Sequence, residues 1–192
     1  MTDAGPNNAG TGTDIGGGTY SWTNPGNITA DDNSDATAVI SGNTVLTNSL
    51  VASNFGFSIP SDATVNGVQF GVRAWYSHDS GTAGAIVIRT AQLRKAGADA
   101  GTAKTNAGST WSTSEAEIGP IGSSSDLWGT TVTPSDANNS GFGLRMQCWW
   151  SFGLGQNTAH IDLVTCTVTY TPAAGKPRTQ VRTQAVHRAA HY

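Results

Sequence analysis

Apolar and polar residues alternate with a period of two along most of the chain, and no stretch keeps the spacing of a long amphipathic helix. The clearest case is 65–76, where Val68, Phe70, Val72, Ala74 and Tyr76 interleave with Gln69, Gly71, Arg73 and Trp75. That pattern predicts a strand with one buried and one wetter face. Further strands are predicted at 36–41, 85–93, 116–121, 142–152 and 159–170, with a broken apolar stretch at 45–57 and a short one at 127–132. In the last long strand Ile161, Leu163, Thr165, Thr167 and Thr169 alternate with Asp162, Val164, Cys166, Val168 and Tyr170. The segment 153–158 joins the two C-terminal strands and reads as the loop of a hairpin. Between strands lie turn formers: Asn24-Pro25-Gly26, the polar loop 31–35, Gly42-Asn43 and Pro60-Ser61-Asp62. Thr133 and Pro134 are placed to cap and begin one helical turn. About eight strands without a long helix predict an all-β fold, an antiparallel β-sandwich of jelly-roll type.

The pattern fails at both ends. Residues 1–19 are Gly, Asn, Thr and Asp with almost nothing apolar, and read as an N-terminal arm. Pro172 ends the last strand, and 173–192 read as a basic C-terminal arm, leaving 20–172 as the sandwich. Composition supports the division. Only 12% of the 192 residues are charged, about half the usual share, and 24 are glycine, which disfavours helical bundles and coiled coils. The net charge of −3 conceals opposite signs. Residues 1–175 hold six Lys or Arg against thirteen Asp or Glu, a net −7, whereas Lys176, Arg178, Arg182 and Arg188 give the tail +4. Such a tail is suited to docking on an acidic surface of a partner or of another copy. Four charges beside an acidic body make a poor nucleic-acid footprint, so no nucleic-acid partner is expected. The N-terminus lacks the basic and apolar regions of a signal peptide, and no apolar run approaches a membrane span, so synthesis in a cytoplasm without membrane insertion is expected. Asn27-Ile28-Thr29 and Asn138-Asn139-Ser140 match the glycosylation sequon and read as chance matches. Cys148 and Cys166 lie in strand-like segments and read as buried thiols.

Residues with chemical potential are few. The acid-rich loop Asp31-Asp32-Asn33-Ser34-Asp35 has some calcium-loop character but lacks the central Gly and distal Glu of an EF-hand, and reads as a hydrated turn. Glu115 and Glu117 could work as a carboxylate pair across a cleft, but their Ser and Thr neighbours favour an exposed edge. His187 and His191 would share a face on a helix, with no acid or thiol nearby in sequence. His78 and His160 lack recognisable catalytic surroundings. No nucleophile elbow, phosphate loop or zinc-protease motif is present. These readings predict a protein that is not an enzyme, with no catalytic, cofactor or metal residues and no cofactor. Six tryptophans remain to be placed, about four of them expected in the core. Adjacent Trp149 and Trp150 must face opposite sides of a strand, and Trp75, Trp149 and Trp150 are the candidates for an outward platform that could stack on a glycan.

Three segments carry a family likeness. They are Trp22-Thr23-Asn24-Pro25-Gly26-Asn27-Ile28 with its Asp-rich loop, Phe55-Gly56-Phe57-Ser58-Ile59-Pro60 followed by 65–70, and Asp126-Leu127-Trp128-Gly129 followed by 135–144. In this order they resemble small virion structural proteins of tailed bacteriophages, over about residues 20–172. The resemblance implies a β-sandwich with no catalytic residues, acting as a minor tail protein or a capsid decoration protein. Partners would be tail or major capsid proteins and copies of itself, giving a virion location after synthesis in the host cytoplasm. Residues 1–19 and 173–192 would be the attachment elements, with Lys176, Arg178, Arg182 and Arg188 as partner-binding residues. The rival reading is a module that binds host-surface glycans through exposed aromatics.

Overall fold

A computed structural model describes residues 1–42, 44–81, 84–150 and 155–174. The chain folds into two antiparallel six-stranded sheets packed face to face, as the alternation predicts. The first sheet runs β1 (Thr2–Asn8), β12 (Gly155–Thr171), β5 (Thr64–Gly81) and β10 (Ile121–Ser123), with β3 (Ala36–Ser41) also on β12 and β9 (Ala116–Glu117) also on β5. The second runs β2 (Thr11–Asp14), β4 (Leu50–Ser53), β11 (Gly143–Trp150), β6 (Ile86–Lys95) and β7 (Ala98–Asp99), with β8 (Lys104–Ala107) also on β6. The inner faces form one core. Val68, Phe70, Val72 and Ala74 of β5 meet Leu144, Met146, Cys148 and Trp150 of β11 within it. Cys148 and Cys166 are both buried and free, and burial raises both thiols far above their ordinary range.

Several expectations change. The N-terminal segment is not a free arm. β1 pairs with β12 from Thr2↔Tyr170 to Asn8↔Thr165, and β2 pairs with β4 from Thr11↔Ser53 to Asp14↔Leu50. Ala9, buried between them, donates its N–H to Val164 O at 2.9 Å. A segment without apolar side chains cannot make a core, yet its main chain can complete the open edge of a sheet. Small residues permit the close approach: a Cβ at Gly12 would collide with the Pro25 carbonyl oxygen. The segment 127–132 is loop rather than strand. From residue 175 onward the C-terminal arm, with Lys176, Arg178, Arg182, Arg188, His187 and His191, lies outside the described residues.

The hairpin is also corrected. β11 and β12 belong to different sheets. Each is an interior strand with a continuous apolar face, so they pack face to face across the core rather than edge to edge. The single helical turn does form at Pro134–Ala137, with a reciprocal capping box between Thr133 and Asp136.

Register shifts interrupt several of the ladders, two of them at Asp162 and Arg89. β12 skips register against β5 between Ile161 and Leu163, leaving Asp162 as the extra residue. Accordingly Ala159 and Ile161 face the core before it, and Val164, Cys166 and Val168 after it. The other edge of β12 changes partner at the same place. β3 pairs as far as Ile161, Thr29 bridges Leu163, and β1 takes over from Thr165. In β6, Arg89 is skipped where Gln147 opposes Thr90 and Cys148 opposes Ile88.

Candidate functional site

Because Phe70, Val72 and Ala74 face the core, the alternate residues Arg73 and Trp75 of β5 stand on the outer face of the first sheet. His160 of β12 lies directly across from Trp75 in register. The loop 31–35 borders this face on one side and the approach to β9 on the other. Between them Asn33, Asp35, Trp75, Thr113 and Glu115 line a shallow recess of about 290 Å³.

Trp75 is locked in place. Its ring stacks on His160 with centroids 3.7 Å apart and an interplanar angle of 13°. Asp35 Oδ2 accepts from Trp75 Nε1 at 3.2 Å and stands 3.0 Å from His160 Nδ1. His160 Nε2 is 3.2 Å from Ser77 Oγ. The order Asp35–His160–Ser77 has the connectivity of an acid–base–nucleophile chain. Ser77 Oγ, however, has one proton and two acceptors in reach, His160 Nε2 and Asp79 Oδ1, and it lies 3.0 Å from the latter. The arrangement fixes the Trp75 indole as one wall of the recess.

Three acids converge beside this recess, which Glu115 shares with Trp75. Asp31, Glu115 and Asp162 each bring a carboxylate oxygen within 4.8 Å of the others. Asp31 is exposed, Glu115 half-buried, and Asp162 fully buried at the β12 bulge. Arg73 reaches into the group, its Nη1 on Asp31 Oδ2 and its Nε 2.9 Å from Glu115 Oε1. Neither oxygen of Asp162 has a hydrogen-bond partner of normal geometry. Burial, followed by the charges of Glu115 and Asp31, pushes the Asp162 carboxyl up to about 6, against an opposing contribution from the Asp32 main-chain N–H. Its ionised form therefore weakens the fold increasingly as pH rises from about 4 through 6.

The residues singled out from sequence separate. Trp75 borders the recess. Trp150 does not belong to a platform: it is fully buried, and with the Asn157 amide turned to suit its neighbours, Trp150 Nε1 donates to Asn157 at 3.1 Å. The same amide donates to His78 Nδ1 at 2.8 Å. Trp149 is on the outer face of the other sheet, where the guanidinium of the bulged Arg89 covers its ring at 4.7 Å. Trp22, Trp111 and Trp128 join Trp150 in the core. Glu117 is exposed in β9 opposite Arg73, whereas Glu115 is turned into the acidic group rather than left on an open edge.

No protein-family model, curated protein or solved structure matches the chain.

Three acids away from this site behave in the opposite sense to Asp162. Burial pushes the Asp14 carboxyl up, but the Gly16 and Trp22 main chains and the Asn48 amide outweigh it and hold the group below the usual carboxylate range. In Asp126 burial is overcome by Lys104 and the Trp128 N–H, and in Asp136 by Thr133 and Lys95. These carboxylates favour folding in their ionised form. Their contribution is complete above about pH 4 and is lost as pH falls through the depressed folded values. Thermal melts from pH 5 downward should show the melting temperature dropping below about pH 4. A melting temperature unchanged down to pH 3 would contradict the assignment.

Proposed function

We propose that the protein is a non-enzymatic structural subunit of a tailed-bacteriophage virion, an accessory attached to the tail as a minor tail protein or to the capsid surface as a decoration protein. The observation that supports this reading is the charge division: a sandwich body of net −7 followed by a segment of net +4 with no acid. An acidic, low-charge body stays soluble at high local density, and a basic segment supplies attachment to an acidic neighbour. Attachment falls to 173–192, because residues 2–14 are already committed to the edges of their own sheets. Repetition around a symmetric particle multiplies weak contacts of this kind into stable binding. The resemblance over 20–172 favours the tail over the shell. Deleting residues 176–192 should abolish incorporation into particles while the isolated domain keeps its melting temperature. A normal copy number of the truncated protein in purified particles would overturn the reading.

A second reading has its own observation. The recess is lined by the fixed indole of Trp75 and by four polar residues, Asn33, Asp35, Thr113 and Glu115. An aromatic wall with polar groups around it suits a sugar ring, as a host-surface glycan-binding module would require. Trp75→Ala would then remove saccharide binding by the isolated domain. A glycan array without signal at high protein concentration would remove this reading and leave the first intact.

A further inference from the structure

We infer that Asp31, Glu115 and Asp162 form a site for a divalent cation of the calcium class. The inference goes beyond the structural role proposed above and stands whether or not that role holds.

Four observations carry it. First, the donors converge from three separated parts of the chain: the loop before β3, the approach to β9, and the bulge of β12. All are carboxylate oxygens, the hard donors that calcium prefers over nitrogen or sulfur. Donors each about 2.4 Å from a central ion stand at most about 4.8 Å apart, so the observed spacing lies within one calcium shell.

Second, Asp162 is fully buried and neither of its oxygens has a hydrogen-bond partner of normal geometry, although one of them lies within 4.8 Å of carboxylate oxygens of the other two acids. A buried carboxylate without partners is costly, and cores rarely keep one without a compensating charge. Third, the cost is built into the backbone. The bulge takes Asp162 out of register with β5, at the point where the other edge of β12 passes from β3 to β1. Bulges commonly re-aim a side chain toward a functional site.

Fourth, the charges do not balance without a further cation. Arg73 meets Asp31 and Glu115, and one guanidinium against three carboxylates leaves −2 when all are ionised. A divalent cation neutralises that charge. The loop 31–35 can add main-chain carbonyls and water can complete the shell, as in exposed calcium sites of modest affinity. Glu115 also lines the Trp75 recess, so an ion here would stiffen one wall of that recess and lie close enough for an indole to sensitise a bound lanthanide.

The test uses the purified full chain freed of metal with a chelator. Calcium is titrated to about 10 mM, well past the affinity range of extracellular calcium modules, against NaCl of matched ionic strength. The melting temperature is expected to rise by roughly 5 °C at a hundredfold excess over Kd. Terbium excited through tryptophan should show sensitised emission that calcium displaces. Asp162→Asn should lose both responses while its metal-free melting temperature equals or exceeds that of the parent protein at pH 7.5, since the substitution removes the unpaired charge. Asp31→Asn, at an exposed position and losing only a solvent-exposed ion pair with Arg73, guards against a folding defect and should lose terbium emission while its metal-free melting temperature stays within about 3 °C of the parent protein's. Absence of both responses in the parent protein, a shift matched by NaCl, or full responses in either variant would overturn the inference.

Discussion

Removing residues 1–14 is expected to lower the melting temperature by more than about 10 °C and to make the protein self-associate. The segment has scarcely any apolar side chains, so the effect must come from the main chain and from sheet closure. β1 covers the C-terminal half of β12, and β2 covers β4. Without them both strands present unpaired N–H and C=O groups in rows, the template on which another chain pairs. Side-chain ties go as well: Asn7 Nδ2 to Phe55 O at 2.8 Å, Thr169 Oγ1 to Asp3 Oδ1 at 2.6 Å, and Asp14 to the Gly16 and Trp22 N–H groups at 2.8 Å each. The ladder hydrogen bonds, the burial of Ala9 and the close packing of Gly12 on Ile28 together hold the segment on the body against the chain entropy that release would recover. Thermal melts and light scattering of the truncated protein provide the check. A monomer melting within about 3 °C of the full chain would show that residues 1–14 are a dispensable arm.

The second large effect is expected at Trp128. Trp128→Ala should cost about 3–5 kcal/mol, the range for an aromatic residue deleted from a core. Trp128 is 1% exposed although it sits in a loop, not a strand. Its indole meets Phe70 edge-on at 5.7 Å, donates from Nε1 to Val68 O at 3.0 Å, and carries Lys104 over its outer side at 4.7 Å. Its backbone holds φ at 60°, with its N–H donating to the Asp126 side chain at Oδ1, so Ala would inherit the strain without the contacts. Trp128→Phe should keep most of the packing and lose the Val68 bond. Trp149→Ala, on the outer face under Arg89, should cost well under half as much. Urea unfolding measures all three, and a cost below about 1 kcal/mol for Trp128→Ala would contradict its place as a keystone of that end of the core.

The strands with uninterrupted alternation were legible in the sequence. Residues 36–41 and the run through Phe70, Val72 and Ala74 are in the structure where period two puts them. The division into two sheets was legible too, but the path between them was not, because alternation specifies a face and not a neighbour. Hence β11 and β12 resembled a hairpin although they lie in opposite sheets. The N-terminal strands were invisible because main-chain pairing leaves no mark on side-chain polarity. The acidic group was hidden for a different reason. Its members are 47 or more positions apart for Asp162 and 84 for Asp31 and Glu115, so no local motif joins them. One signal was nevertheless present. Read as one strand, 159–170 places Ala159 and Ile161 on the face opposite Val164, Cys166 and Val168, and only a bulge near Asp162 lets all five reach the core. An acid at the position where apolar parity switches is a local clue to a re-aimed side chain. Trp149 and Trp150 show how far alternation reaches: it requires opposite faces for them but does not specify which one is buried.

The attachment role is tested most directly by what the C-terminal segment touches. Lys176 is the one lysine after residue 104, so an amine cross-link from it reports that segment's neighbour. Cross-linking of purified particles followed by mass spectrometry is expected to join Lys176 to another virion protein, a tube or tip protein for a tail subunit or a shell protein for a decoration subunit. Links from Lys176 confined to its own chain, or absence of the protein from the particles, would contradict the account.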